Sequence, residues 1–141
     1  MTNKLDLDHT LDTIIEPAWR NLAPNIIRQR LMMEAITERI VEPPQIKEYL
    51  IELARISQME IIGGPYTRSA HECGYAGWVH WKTSGCHLYT YPANAWGGVN
   101  EPLLTIDTYT CKPFSIREVV GFTREYFQIR EDEMVWREIR V

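Results

Sequence analysis

The sequence is poor in cysteine and contains no long apolar run. Its three cysteines, Cys73, Cys86 and Cys111, show no CxxC spacing and no spacing to paired histidines, so neither a disulfide framework nor a zinc site is predicted. No stretch reaches the roughly 18 apolar residues of a membrane span, and the acidic N-terminus lacks the apolar core of a secretion signal. We therefore expect a cytoplasmic protein that does not contact a membrane.

Basic charge is also scarce. The chain has 15 Lys and Arg against 19 Asp and Glu, which gives a formal net charge of -4. Nucleic-acid binding needs clustered basic side chains at the phosphates, so nucleic acid is not an expected partner. Five Trp and seven Tyr are, by contrast, many for 141 residues. They indicate an aromatic-lined core, pocket or subunit interface within a chain of single-domain size.

The first half of the chain shows helical periodicity. Residues 7–22 place apolar side chains at helical spacing, with Asp8 or Thr10 available as a cap and Pro17 expected to kink or divide the helix. Residues 29–41 could form a helix or a buried strand, and periodicity alone favours the helix. The pair Pro43-Pro44 opens the clearest helix, because proline is tolerated in a first turn.

The second half is predicted to contain most of the strands. Residues 59–69 should form a short strand broken by a turn at Gly63-Gly64-Pro65. Further strands are predicted at 74–85, 86–92, 103–111 and 134–141, and Ser115 is predicted to cap a helix over 116–127. Consecutive short strands favour antiparallel pairing, and amphipathic helices must bury their stripes on such a sheet. The predicted fold is an α/β (α+β) two-layer sandwich, with a mainly antiparallel sheet, helices on one face and an extra N-terminal helix.

The strand at 86–92, CHLYTYP, has two different faces. Because successive strand side chains point to opposite sides, Cys86, Leu88 and Thr90 share one face. The other face carries His87, Tyr89 and Tyr91 and is polar and aromatic.

Three motifs, GYAG (74–77), TSGCHLYTYP (83–92) and IDTYTC (106–111), resemble the core of the small prokaryotic S-adenosylmethionine decarboxylases. That family has a Gly-x-Ser-Gly strand, then Glu-Ser-His, then His-Thr-Trp-Pro-Glu and Asp-x-aromatic-Thr-Cys-Gly. The resemblance follows the order of elements over residues 28–141, which leaves 1–27 as an N-terminal helical extension. It also implies that residues 30–36 form the first strand rather than a helix.

The resemblance implies a cofactor made from the chain itself. In the family, a serine attacks the peptide bond before it and becomes a pyruvoyl group, whose carbonyl holds the substrate amine and withdraws electrons as carbon dioxide leaves. Ser84 lies at the position of that serine, and Cys111 at the position of a cysteine that donates a proton. The implied ligand is S-adenosylmethionine, the implied pathway is polyamine (spermidine) biosynthesis, and the implied assembly is a homodimer or other homo-oligomer.

The chain departs from the family at the residues of self-processing. Thr83 replaces the glutamate before the scissile bond, Ala76 replaces an assisting serine, and Tyr89 replaces the histidine that moves protons. A phenol with a pKa of about 10 exchanges protons near neutral pH far less readily than an imidazole. These replacements count against self-processing at the Thr83–Ser84 bond.

The remaining candidates surround this motif. His87 lies two residues before Tyr89 on the same strand face, so it is the one imidazole that could replace the missing histidine. Tyr91 and Glu101 are candidate substrate-binding residues, and Glu101 could supply a carboxylate that the family has at Ala93. No metal is expected, because His71 and Cys73 share a loop without further ligands.

Three functions therefore remain open. The first is a decarboxylase-like enzyme whose Ser84 becomes a pyruvoyl group with help from His87. The second is a non-processing relative that binds a small molecule or regulates an active decarboxylase. The third is a non-pyruvoyl enzyme that acts on S-adenosylmethionine through Cys111, His87 and Tyr89.

Overall fold

The computed structural model describes residues 17–95 and 100–141. The order of its strands and helices is β1 (Gln29–Ile36), α1 (Pro43–Ser57), β2 (Ile61–Ser69), β3 (Tyr75–Trp81), β4 (Ser84–Tyr91), β5 (Leu103–Thr110), α2 (Ile116–Tyr126) and β6 (Met134–Arg140). One-turn 3₁₀ helices at His71–Cys73 and Glu131–Glu133 precede β3 and β6.

The strands form one antiparallel sheet in the order β2-β3-β4-β5-β1-β6. The strands from β2 to β5 follow one another as neighbours, and β1 inserts between β5 and the C-terminal β6. The two helices pack together and cover one face of the sheet. This arrangement confirms the predicted two-layer sandwich with a mainly antiparallel sheet.

The β1 strand shows why helical periodicity was misleading. Leu31, Met33 and Ala35 are buried, whereas Met32 and Glu34 between them are exposed. This alternation is the period of a strand with one covered face. The helix that periodicity favoured for residues 29–41 is therefore wrong, and the strand implied by the family resemblance is confirmed.

Helix α1 begins at the proline pair, as predicted. Its buried stripe lies on the sheet and contains Ile46, Tyr49, Leu50, Leu53 and Ala54. Part of this close packing depends on Gly77 of β3, because a Cβ atom at that position would collide with the Cγ2 methyl of Ile46. The last glycine of the GYAG motif thus allows the helix to approach the sheet.

Strand β2 differs from its prediction. The Gly63-Gly64-Pro65 sequence does not end or turn the strand, which continues from Ile61 to Ser69. Instead, the pairing register with β3 shifts between Ile61 and Gly63 and again between Gly63 and Tyr66. A bulge of this kind absorbs glycine and proline at a sheet edge without ending the strand.

Helix α2 begins where the sequence predicted. The hydroxyl oxygen of Ser115 accepts a hydrogen bond of 3.2 Å from the amide of Glu118, so Ser115 is the N-cap. Thr123 of this helix donates to the carbonyl of Val119 and shares a 2.7 Å hydrogen bond with the Tyr49 hydroxyl. Because all three groups lie in the core, this bond fixes α2 against α1.

The predicted N-terminal helix over 7–22 is only partly within the described residues. Residues 7–16 lie outside them, and residues 17–22 form no helix. Trp19 and Leu22, which were predicted to lie on its apolar stripe, are 79% and 77% exposed.

The second face of the sheet, which we call the open face, is covered by neither helix. It carries large side chains that are 42% to 63% exposed: Met32, Tyr66, Tyr89, Tyr109, Val135 and Ile139. Charged side chains lie between several of them, and exposed apolar and aromatic groups of this size are typical of a ligand-binding or subunit-binding site.

Candidate functional site

Ser84 and Cys111 meet at one end of the sheet. Strand β4 begins at Ser84, and its antiparallel neighbour β5 ends at Thr110. Ser84 and Cys111 therefore lie at the same end of the two strands. The amide nitrogen of Cys111 donates a hydrogen bond of 3.1 Å to the hydroxyl oxygen of Ser84. The structure thus brings together two predicted site residues that lie 27 positions apart in the sequence.

The peptide bond before Ser84 lies beside a strained residue. Lys82 and Thr83 form the two-residue turn between the paired residues Trp81 and Ser84. Thr83 has a φ of 64°, a left-handed conformation that glycine or asparagine normally occupies at this turn position. For a β-branched residue this conformation costs of order 1–3 kcal/mol.

The Cys111 thiol contacts a tyrosine near the end of the preceding strand β5. Its sulfur lies 3.4 Å from the hydroxyl oxygen of Tyr109, to which the thiol donates. This hydrogen bond, with a smaller contribution from burial, raises the pKa of Tyr109 above its ordinary value, while the nearby Arg28 partly opposes the rise. Tyr109 was not among the predicted site residues, although its i, i+2 spacing predicts that it shares a strand face with Cys111.

His87 and Tyr89 lie on the open face, away from the Ser84 hydroxyl. His87 is three residues along β4 from Ser84, about 10 Å at the rise of a strand, and the alternation of β4 places the two side chains on opposite faces. Its neighbour across the sheet, Asp107, is held by a bidentate ion pair with Arg30, with distances of 2.9 and 2.6 Å. Asp107 is thus paired with Arg30 rather than with His87.

Tyr91 and Glu101 line one cavity at the opposite end of β4. The cavity has a volume of about 280 Å³ and is also lined by Glu34 and Thr105. Sequence reasoning selected Tyr91 and Glu101 but missed Glu34, because β1 is distant in sequence and meets this end only through its pairing with β5. The seven residue steps from Ser84 to Tyr91 span about 23 Å. Within one chain, the candidate residues therefore form two separate groups.

The described part of the chain was also compared with the patterns of metal sites and of membrane-spanning helices. Within residues 17–95 and 100–141, no three His, Cys, Asp or Glu side chains are grouped so that they could hold a metal ion. No helix of this part is long and apolar enough to cross a membrane.

The fold and site together define an α/β sandwich protein in which a serine hydroxyl and a cysteine amide are hydrogen-bonded at the end of an open-faced sheet. Residues 31–139 match the family model described as S-adenosylmethionine decarboxylase. This match spans most of the chain, which therefore belongs to the S-adenosylmethionine decarboxylase family. The family is generally pyruvoyl-dependent, acts in polyamine biosynthesis and forms oligomers that bind S-adenosylmethionine. No curated protein matches the sequence.

Proposed function

We propose that this family member binds S-adenosylmethionine at the open face and keeps Ser84 as an unconverted serine. One observation supports this above all. The only hydrogen bond to the Ser84 hydroxyl among the described residues comes from the Cys111 amide, which is a donor. A serine nucleophile needs a base to take its proton, and neither an imidazole nor a carboxylate lies in that position.

The residues around Ser84 therefore do not fit the formation of a pyruvoyl group within one chain. Tyr89 occupies the position of the family histidine and lies on the open face, 44% exposed. His87, the one imidazole that could substitute, lies on that same face and about three residues from Ser84 along the strand. The chain would then act as a binding or regulatory protein rather than as a decarboxylase.

The cavity that Glu34, Tyr91, Glu101 and Thr105 line is the proposed ligand site. S-adenosylmethionine carries a positive sulfonium and an amine, and Glu34 and Glu101 supply two carboxylates that would attract them. Tyr91 offers a ring against which the base of the ligand can stack, and Thr105 offers a hydroxyl. A cavity of about 280 Å³ is near the lower limit for a small-molecule site, so part of the ligand would lie over the open face.

A second copy of the chain is proposed to cover the rest of the open face, outside the ligand cavity. That face is apolar and aromatic at several positions and also carries charges of both signs, including Arg30, Glu34 and Asp107, which allows self-complementary pairing about a two-fold axis. If two open faces pack with their β4 strands antiparallel, the Ser84 end of one chain lies over the Tyr91 end of the other. The separation of the two residue groups within one chain favours such an assembly.

A processed enzyme is the second candidate function, and the strain at Thr83 favours it. A left-handed Thr83 raises the energy of the backbone next to the Thr83–Ser84 bond, and strain of this kind concentrates at functional sites. In that case the bond would break and the chain would separate into two pieces. The two candidates differ in covalent structure, so mass measurement distinguishes them.

The test combines intact mass with ligand-dependent melting. We expect a single species of the full 16.5 kDa and a melting temperature that rises by several degrees at about 1 mM S-adenosylmethionine, because a ligand of the folded state stabilises it. Glu34→Gln should reduce the rise, whereas Glu125→Gln, an exposed change on α2, should not. Cleavage before Ser84 would establish the processed enzyme, and an unchanged melting temperature would remove ligand binding.

The proposed assembly predicts a dimer that one charge on the open face disrupts. Sedimentation velocity should give a dimer for the wild type and a monomer for Met32→Glu, because Met32 lies on β1 within the open face and is 42% exposed. The matched control is Ile51→Glu, at a site 47% exposed on α1, which should remain dimeric. A wild-type monomer at micromolar concentration would contradict the assembly.

A further inference from the structure

A groove lies between α2 and the edge strand β6, on the side of the sheet that the helices cover. Its volume is about 560 Å³. Trp136 and Glu138 line it from β6 and lie on the helix side because they pair with the buried Met33 and Leu31. On α2 the groove is lined by Gly121, where an added Cβ atom would contact nothing within 4 Å. The glycine thus leaves open space beside the middle of the helix.

Two arginines of α2 also line this groove. Arg117 and Arg124 are seven residues apart, which is close to two helical turns and places both on one side of the helix. The ion pairs within residues 17–95 and 100–141 involve other arginines. The charges of Arg117 and Arg124 are therefore not neutralised by an ion pair within the part of the chain that the structure describes.

The guanidinium of Arg124 is partly enclosed. Its Nε atom is buried and has no acceptor among the described residues. Buried N–H groups are nearly always paired, because a donor that leaves water without a new partner loses a hydrogen bond. A fully solvated surface arginine would not have this feature. An anion that accepts hydrogen bonds from the same guanidinium would offset the loss.

The carboxylate of the groove lining is already hydrogen-bonded. Glu138 accepts a hydrogen bond of 2.7 Å from the side-chain amide of Gln29, which is buried. The same Gln29 side chain binds the backbone of Phe114, just before α2, over 3.1 and 3.0 Å. Two arginines against one glutamate give the groove a net positive charge in a chain whose formal net charge is -4. Charge of one sign in a concave surface attracts ligands of the other sign.

The remaining part of the lining is apolar and aromatic. Trp136 is 50% exposed at the edge of the sheet, and Ile116 and Val120 line the groove from α2. An exposed indole ring offers a surface on which planar apolar groups stack. Guanidinium groups bind carboxylates and phosphates through paired hydrogen bonds. The groove therefore suits a ligand that combines an acidic group with a planar one.

We propose that the groove between α2 and β6 is a second ligand site, which binds a small anion with a carboxylate or phosphate joined to a planar apolar group. Arg117 and Arg124 bind the anionic group, and Trp136 stacks on the planar group. The site lies on the opposite side of the sheet from the cavity lined by Glu34 and Tyr91. It therefore does not depend on the binding of S-adenosylmethionine.

The experiment titrates the isotope-labelled full-length protein with phenyl phosphate and follows its resonances by NMR. We expect saturable shifts of the Gly121 amide and of the Trp136 indole N–H. Arg117→Gln and Arg124→Gln should each weaken binding about tenfold, because each removes a charged donor to the phosphate. Inorganic phosphate, which has no ring to stack on Trp136, should bind more weakly than phenyl phosphate.

Two further variants separate charge, space and folding. Arg68→Gln removes an exposed arginine of β2, at the opposite edge of the sheet, and should keep the wild-type affinity. Gly121→Leu keeps both groove arginines but fills the groove. Because open space surrounds the added side chain, this variant should melt no lower than the wild type and should lose phenyl phosphate binding.

Two results would overturn the proposal. One is the absence of saturable shifts up to about 10 mM phenyl phosphate, a concentration at which even a weak specific site fills. The other is equal affinity in the wild type, Arg124→Gln and Gly121→Leu. The rise in melting temperature with S-adenosylmethionine should be the same in Gly121→Leu as in the wild type. A failure of the groove site and a failure of the proposed function therefore give different results.

Discussion

Gly74→Ala is expected to destabilise the protein by about 3 kcal/mol or more, which is a large part of the 5–15 kcal/mol that holds a typical domain folded. Gly74 has a φ of 100° and a ψ of -136°, a conformation available essentially to glycine alone. A Cβ atom here would also collide with the carbonyl oxygen of Thr90. This oxygen is main chain within the sheet, so neither strand can yield without loss of pairing.

The control for this change is Gly121→Ala. Gly121 lies within α2, and an added Cβ atom there meets nothing within 4 Å. Alanine should stabilise the helix by roughly 0.5–1 kcal/mol, because glycine loses more backbone entropy on folding. Urea unfolding of both variants should therefore give shifts of opposite sign. Equal midpoints for Gly74→Ala and the wild type would show that β3 and β4 are not as close at this position as described.

Alkaline pH is expected to destabilise the protein through its buried thiol. Burial raises the pKa of Cys86 from 9.0 to about 12, so above pH 9 the unfolded chain releases a proton that the folded protein keeps. The stability that the protonated Cys86 thiol contributes is therefore fully present below pH 9 and is lost as the pH rises towards 12. The loss is about 1.4 kcal/mol per pH unit and about 4 kcal/mol in total. Tyr49, whose pKa burial also raises, adds to the loss above pH 10.

The pH dependence of the unfolding free energy should become weaker when the Cys86 thiol is removed. We expect the unfolding free energy of Cys86→Ala, measured in urea between pH 8.5 and 10.5, to fall less steeply than that of the wild type by about one proton equivalent. Cys73→Ala removes a thiol that is only half-buried and should keep the wild-type slope. If Cys86→Ala and the wild type show the same slope, Cys86 does not titrate on unfolding.

The two glycines of the GYAG motif have a packing role. GYAG looked like part of a catalytic motif, yet its glycines are explained by packing: Gly74 allows close approach to Thr90, and Gly77 allows close approach to Ile46. A sequence pattern cannot separate these roles, because a glycine kept for backbone approach and one kept for chemistry look alike. Only the positions of neighbouring atoms distinguish them.

The sequence by itself determined the elements whose signals are local. The proline pair fixed the start of α1, Ser115 fixed the start of α2, and alternation along 86–92 fixed the two faces of β4, because caps and side-chain periodicity act over a few neighbouring residues. β1 could not be predicted in this way. Its dense apolar residues fit the period of a helix as well as that of a strand. Pairing with β5 and β6, which are far away in sequence, stabilises the strand.

The grouping of the candidate site residues likewise depended on pairing between strands that are far apart in the sequence. The sequence supplied Ser84, Cys111, Tyr91 and Glu101 as candidates, but their grouping into two ends of one sheet follows from the antiparallel register of β4 and β5. The contacts of Arg30 with Asp107 and of Glu34 with the cavity arise because β1 inserts beside β5. Sequence spacing measures distance along the chain, whereas hydrogen bonds and charges act through space, and the fold alone relates the two.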